Sequence, residues 1–333
     1  MRRNLKTSME TDGLVSVLMP LYNAEAFVEE AIESVLSQTY EQWELIIVND
    51  GSTDRSLELA KQFESDKIHV LTQPNSGACV ARNKAIQEAR GEYVKFLDAD
   101  DVLAEDCIEK QIEQIRVLKE NQIPFGDYDY IDKNNKHLRE FSFGSELVKQ
   151  LVADQPYFFF SRWEVLITSP LHRLNHLLSV GGFDVSFKRG QESDLHFRLA
   201  LAGVEFVYCP CHTFSYREYQ SSSKITSNYE AGKINKKEYW QHKYRQCEKL
   251  LMERYGELPV VYQSSFARFW FDEARDSFAL ANKKLGKELL IKSRSYKSNT
   301  KFQSVYYRIG HVIGFVFLEK VLRLRLRLLK KAS

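Results

Sequence analysis

What most restricts this chain is a regular alternation over residues 14–97 of short apolar runs with segments whose apolar residues recur at a helical spacing. Residues 14–19 form an apolar run stopped by Pro20, and Phe27, Val28, Ala31, Ile32, Val35 and Leu36 then fall on one face of a 3.6-residue helix. The unit repeats as a strand over 43–48, a helix from about 54 to 63, a strand over 68–71, a helix from about 78 to 89 with Gly91 as its C-terminal stop signal, and a strand over 93–97. Four strands alternating with three helices predict right-handed βαβ crossovers and an α/β fold: a mostly parallel sheet covered on both faces.

Such a sheet binds ligands outside the carboxyl ends of its strands. There this chain places Pro20-Leu21-Tyr22-Asn23, Asp50-Gly51-Ser52-Thr53-Asp54, Gln73-Pro74-Asn75-Ser76-Gly77 and Asp98-Ala99-Asp100-Asp101. The expected cleft is rich in carboxylates, amides and backbone donors. Neither a Gly-x-x-x-x-Gly-Lys loop nor a Gly-x-Gly-x-x-Gly turn follows the first strand, which disfavours P-loop NTPases and Rossmann dehydrogenases. Asp98 and Asp100, two apart and leaving an extended strand, should project to one side and could offer hard oxygen ligands to one Mg²⁺ or Mn²⁺ that bridges a diphosphate. The competing reading is an acidic turn capping a helix that begins near Ala104. An EF-hand is disfavoured because Leu103 stands where its loop needs glycine.

Together these four strand-end motifs, with Asn75-x-Gly77-x-x-x-Ala81-Arg82-Asn83 extending the third, closely resemble the N-terminal half of a family 2 glycosyltransferase with the GT-A fold over residues 14–120. The resemblance implies transfer of a sugar from a nucleotide-diphosphate donor, typically a UDP-sugar, to an acceptor hydroxyl with inversion, in polysaccharide or glycolipid assembly. It implies that Pro20, Tyr22 and Asn23 line the base and ribose pocket and that Asp50 accepts a hydrogen bond from the base, while Asp54 caps its helix. It also implies that Gly77 and Arg82 lie under the ribose and diphosphate, that Asp98 reaches ribose and metal, and that Asp100 is the closer metal ligand.

Further on, Gly181-Gly182-Phe183-Asp184 resembles the family's turn before its acceptor region, and Gln191-Glu192-Ser193-Asp194-Leu195-His196-Phe197-Arg198-Leu199 the helix start that carries the base. Glu192 falls at the base position, usually Asp, with Asp194 the runner-up. In the stretch 216–223, similar to the family's loop over the diphosphate, Tyr219 stands where a histidine is usual, and His212 is the nearest substitute. A non-catalytic nucleotide-sugar binder and, less favoured, a sugar nucleotidyltransferase are the alternatives.

Net charge sharpens the domain division. The total of +2 excludes a uniformly basic nucleic-acid binder, yet residues 1–228 carry 35 Asp and Glu against 24 Lys and Arg, and residues 229–333 carry 10 against 23. This predicts a tail over 1–12, a catalytic domain over 13–228 (donor half 13–120, acceptor half 121–228) and a basic helical extension over 229–333. On a helical wheel Lys320, Arg323, Arg327, Lys330 and Lys331 share one side, opposite Val321, Leu322, Leu324, Leu326, Leu328 and Leu329. A basic amphipathic helix suits an anionic membrane surface, reached through residues 311–331; a docked helix or a homodimer contact is the alternative. The five cysteines show no Cys-x-x-Cys spacing, the N-terminus has no apolar leader, and no apolar run reaches the roughly 18–20 residues of a membrane span. The expectation is a cytoplasmic protein peripheral to the membrane.

Overall fold

In β1 (Val15–Leu21) the residues Val15, Val17, Leu18, Met19 and Leu21 are wholly buried, and such side chains each contribute about 1.5–3 kcal/mol on leaving water. That strand is central because both of its edges are taken. It pairs in parallel with β2 (Trp43–Asp50) on one side and β4 (Tyr93–Phe96) on the other, and β2 pairs with β3 (Ile68–Gln73). The crossovers are α1 (Val28–Leu36), α2 (Ser56–Lys61) and α3 (Ala78–Glu88). A fifth strand, β8 (Leu171–Arg173), closes the sheet antiparallel to β4, for the order β3-β2-β1-β4-β8.

The α/β class and the four strands expected from the sequence are those observed. Gly91 differs from expectation: α3 ends at Glu88, and Gly91 has no left-handed backbone. It is small because a Cβ there would sit 2.6 Å from the Leu14 carbonyl and 2.7 Å from the Ser16 amide nitrogen.

The computed structural model describes residues 13–162, 164–220, 236–296, 301–313 and 315–332, with 236, 301, 302, 312, 313 and 324–332 by backbone alone. A second sheet, ordered β5-β9-β6-β7, follows the first four strands. It consists of β5 (Val102–Leu103), β6 (Gln122–Ile131), β7 (His137–Phe141) and the long β9 (Glu205–Arg217). Between them come α4 (Cys107–Val117), α5 (Ser145–Ala153), α6 (Gln155–Ser161), α7 (Leu174–Ser179) and α8 (Gln191–Leu201).

The chain divides into two compact units between Gln241 and His242. The boundary expected at residue 228 lies outside the described residues. The second unit is helical, with segments Val260–Ala279, Lys283–Ser295, Lys301–Ile313 and Phe315–Ala332 after the helix Lys236–Tyr255 that enters it. Phe266, Trp270, Phe278 and Leu290 fill its core. The last helix is partly docked within this unit. Glu319 is fully buried and accepts from Arg275 Nε at 2.5 Å, and Arg323, expected on an outward basic face, pairs with Asp276 and Glu319. No helix among the described residues is long and apolar enough to cross a membrane.

One buried pair sets an acid limit on stability. His172 on β8 and His196 on α8 stack 5.6 Å apart with no exposure, and among the described residues neither ring has a hydrogen-bond partner. Burial pushes His196 down to about 3 and holds His172 well below the usual range, whereas in the unfolded chain each titrates near 6.5. The unfolded state therefore binds protons that the native state refuses. Stability is complete above about pH 6.5 and falls as pH drops, by up to about 1.4 kcal/mol per pH unit per histidine. Urea midpoints at pH 7.5 and 5.5 should differ for the native sequence and differ less for His196→Leu; equal losses in both would show that His196 is not held neutral.

Candidate active site

The ends of the four parallel strands meet around one cavity of about 300 Å³. Pro20 and Tyr22 after β1, Asp50 at the end of β2, Gly77 before α3, Arg82 on α3, and Asp98 and Asp100 after β4 all line it, together with Tyr216 and Tyr219. Of the donor-side residues expected from the sequence, Asn23 is the exception. Its backbone sits in the left-handed region at φ 47°, where asparagine is tolerated, and its Oδ1 accepts from the Thr53 N–H at 2.8 Å. Its own N–H donates to Ser52 Oγ at 3.1 Å, so Asn23 ties the first loop to the second.

Asp50 is 3% exposed and shapes the third loop. The β2–β3 register sets it opposite Gln73, whose Nε2 donates to Oδ1 at 2.7 Å, and the Ser76 and Gly77 N–H groups donate to its two oxygens at 2.8 Å. Three of about four acceptor positions are filled, which leaves one for a ligand. Gly51 is left-handed at φ 71°, and a Cβ there would lie 2.8 Å from the Asn75 nitrogen, so the second and third loops can touch only through glycine. Asp54 accepts from the N–H of Ser56, the first residue of α2.

Asp98 and Asp100 reach the cavity by a route different from the expected one. The strand ends at Phe96, and the two carboxylates sit in a turn in which the Asp101 N–H donates to the Asp98 carbonyl at 3.0 Å. Arg82 Nη2 binds Asp98 Oδ1 at 2.5 Å, and its Nη1 donates to Gln191 Oε1 at 2.9 Å on the first turn of α8. The guanidinium is 7% exposed and lies 5.4 Å from the Phe183 ring centre. Burial opposes its charge, but the Asp98 carboxylate more than compensates, and Arg82 titrates above its ordinary range. Tyr219, at the position where histidine was expected, places its hydroxyl on Asp100; burial and that carboxylate raise its pKa, so it is a donor to Asp100. His212 is elsewhere, 3.2 Å from Asp129 on the second sheet.

Asp98 and Asp100 are hard oxygen donors facing one cavity, a set suited to Mg²⁺ or Mn²⁺, ions that keep water and substrate phosphate as further ligands. Among the described residues no cluster of three metal-ligating side chains adds to them.

Glu192 and Asp194, both in the first turn of α8, have different surroundings. Asp194 is buried and accepts from Arg198 Nε at 2.8 Å and Nη2 at 2.6 Å, while Arg198 Nη1 donates to the Val180 and Gly182 carbonyls. Glu192 is half-buried, has no hydrogen-bond partner among the described residues, and lies close enough for its charge to act on Arg82 and Cys79. Neither lines the cavity itself.

Three contributors were not foreseen. Asn83 pairs with the Phe183 backbone in both directions, at 2.8 and 2.7 Å, and so holds the Gly181-Gly182 turn from the side opposite Arg198. Gln191 joins α8 to Arg82. Arg217, 1% exposed, holds the Asp98–Asp101 loop through the Asp100 carbonyl and the Asp101 carboxylate while its Nη2 reaches Glu30 at 2.7 Å.

Residues 16–171 match the Glycosyl transferase family 2 model. The chain carries a family 2 glycosyltransferase domain. TuaG of Bacillus subtilis (strain 168) is 50% identical over 103 residues, which are 30% of this chain and 41% of that protein. The UDP-Glc:alpha-D-GlcNAc-diphosphoundecaprenol beta-1,3-glucosyltransferase WfgD of Escherichia coli is 40% identical over 126 residues, 37% of this chain and 49% of its own. The chain thus spans half or less of the length of these two relatives. Among solved structures, TarS 1–349 of S. aureus in complex with UDP-GlcNAc superposes with a TM-score of 0.62 at 18% identity, over 84% of this chain and 79% of that one. That likeness is one of fold, and it agrees with the GT-A architecture of the glycosyltransferase domain.

The Arg82 contacts give a direct test of how the domain is held together. Arg82→Ala leaves Asp98 and Gln191 without their partner and should cost about 2–4 kcal/mol, below the fully buried figure because Asp98 is partly open to solvent. Arg82→Lys should recover only part, since an ammonium does not span two acceptors as a planar fork does. Urea unfolding of the two variants decides; a lysine variant as stable as the native protein would mean that the bridge is not structural.

Proposed function

We propose that this domain is an inverting glycosyltransferase that takes a sugar from a nucleotide-diphosphate donor, a UDP-sugar, and passes it to an acceptor hydroxyl in polysaccharide or glycolipid assembly. The observation that carries the reading is the convergence on one cavity of Asp50 from the end of β2, Arg82 from α3, and Asp98 and Asp100 from the turn after β4. The UDP-GlcNAc named with TarS and the UDP-glucose in the name of WfgD support a uridine donor. The alternative of a non-catalytic binder is the weaker one, because Glu192 stands unpaired among the described residues on the first turn of α8, which Gln191 joins to Arg82.

Each residue then has a physical task. Pro20 and Tyr22 form the wall for base and ribose, and Asp50 offers its remaining acceptor position to the base. The first N–H groups of α3, beside Gly77 and Ala78, suit the anionic diphosphate. Arg82 sets the position of Asp98, and Tyr219 that of Asp100. These two carboxylates would hold the Mg²⁺ or Mn²⁺, which when bound supplies charge neutralisation for the departing diphosphate.

Glu192 takes the proton of the acceptor hydroxyl, a role worth on the order of 10²–10⁴ in rate. Asp194 is unsuited to it, being committed to Arg198 and the Gly181-Gly182 turn. Fixing donor and acceptor in line can supply roughly 7–11 kcal/mol more. The acceptor is a saccharide or lipid-linked saccharide, and the place of work is the cytoplasmic face of a membrane.

A thermal-shift screen of nucleotide sugars with Mn²⁺ identifies the donor, since a ligand that binds only the native state raises the melting temperature. With that donor, Glu192→Gln should keep the shift and lose 10²–10⁴ of turnover. Asp100→Ala should lose turnover and weaken the Mn²⁺-dependent part of the shift, and Asp194→Asn should lower the melting temperature of the free protein. Turnover near the native value in Glu192→Gln would remove Glu192 from the mechanism.

A further inference from the structure

The helical unit holds a second cavity, of about 460 Å³, with a composition unlike that of the donor cleft. Its floor is an aromatic pair: Phe278 and Phe315 stack with ring centres 4.7 Å apart and planes 13° from parallel. Glycines make room for the pair. A Cβ on Gly286 would lie 2.6 Å from the Phe278 ring, and one on Gly310 would collide with Phe315.

Around this apolar floor stand Lys283, Lys287 and Lys320, with His311 beside them. Lys283 and Lys287 are four apart on one helix face, and Lys320 comes from the last helix. All three are exposed, none has an ion-pair partner among the described residues, and no acidic side chain lines the cavity. The neighbouring acid, Glu319, is buried beneath Arg275 and Arg323 and neutralises none of them. Like charges gathered around one cavity repel one another, and an anion bound among them relieves that repulsion. Beside them Phe317 is 59% exposed and Val321, one turn on, 46% exposed. Cations at the mouth, an aromatic floor and projecting apolar side chains complement a molecule that is anionic at one end and hydrocarbon at the other.

We propose that this cavity binds the phosphorylated headgroup of an anionic membrane lipid, with the three lysines on the phosphate, Phe278 and Phe315 under the glycerol, and Phe317 and Val321 among the first chain carbons. Its volume lies within the range of small-molecule sites. The proposal gives the membrane side of the function above a specific anchor, and because it uses none of the donor residues the two can fail separately.

Flotation of the full chain with vesicles tests it. The native protein should float with phosphatidylcholine vesicles containing phosphatidylglycerol and stay behind with phosphatidylcholine alone. Lys283→Ala, Lys287→Ala and Lys320→Ala combined should lower partitioning roughly 100-fold, each lysine near an anionic surface being worth about a factor of five. The corresponding triple arginine variant should float like the native protein, and so should Glu192→Gln, which separates anchoring from catalysis. Unchanged urea midpoints would confirm that the alanine variant is folded. Flotation of the alanine variant equal to native would place the anchor elsewhere and overturn the proposal, as would absence of native flotation. Stabilisation by inorganic phosphate without vesicle binding would overturn it in favour of a soluble anion.

Discussion

The buried guanidinium of Arg82 is the contact on which the catalytic arrangement depends. It leaves α3, which follows the third strand, and it ends on Asp98 after the fourth strand and on Gln191 at the start of α8. A charge in so dry a place is tolerable only with a carboxylate against it, and the same carboxylate thereby acquires a fixed position at the cavity. One ion pair thus places the Asp98 carboxylate at the cavity and fixes the first turn of the helix that carries Glu192. Arg217 does the corresponding service from the second sheet, holding the backbone of Asp100 and the side chain of Asp101. Two arginines, each nearly without exposure, thus tie the Asp98–Asp101 loop to α3, to the start of α8 and to the second sheet.

Much of this was legible in the sequence for a simple reason. A parallel strand buried on both faces writes itself as an apolar run, and a covering helix as a 3.6-residue repeat, so the four strands and three crossovers could be read without any tertiary information. Once the strands were placed, topology put Pro20, Tyr22, Asp50, Gly77 and Asp98 at one edge. The illegible part concerns which polar groups satisfy one another. Asp98 and Asp100 were expected to share a side through strand geometry, and a turn brings them there instead. Asp194 and Glu192 look equivalent as letters, and only the position of Arg198, one helical turn from Asp194, distinguishes a committed carboxylate from an uncommitted one. Asn83 stood inside a recognised motif, but its partner, the Phe183 backbone, is 100 residues away in the chain.

The small net charge of +2 hides a division of labour between the two units. In the first, acids are placed by arginines around a cavity. In the second, the acid Glu319 is buried under two arginines, which leaves Lys283, Lys287 and Lys320 to face outward over an aromatic floor. The basic face expected on the last helix is therefore modified at its start, since Arg323 turns inward to Asp276 and Glu319 while Lys320 remains at the surface.

In the proposed mechanism the cleft supports a single displacement at the anomeric carbon, with Glu192 deprotonating the incoming hydroxyl. The stereochemistry of the released sugar tests it most directly. Early-time proton NMR of the turnover of an α-linked nucleotide sugar, with acceptor or with water in its place, reports the configuration of the first product before mutarotation. A single displacement yields the β-anomer. Release of the α-anomer would mean a double displacement or a front-face route, and it would contradict both the role of Glu192 and the inverting mechanism.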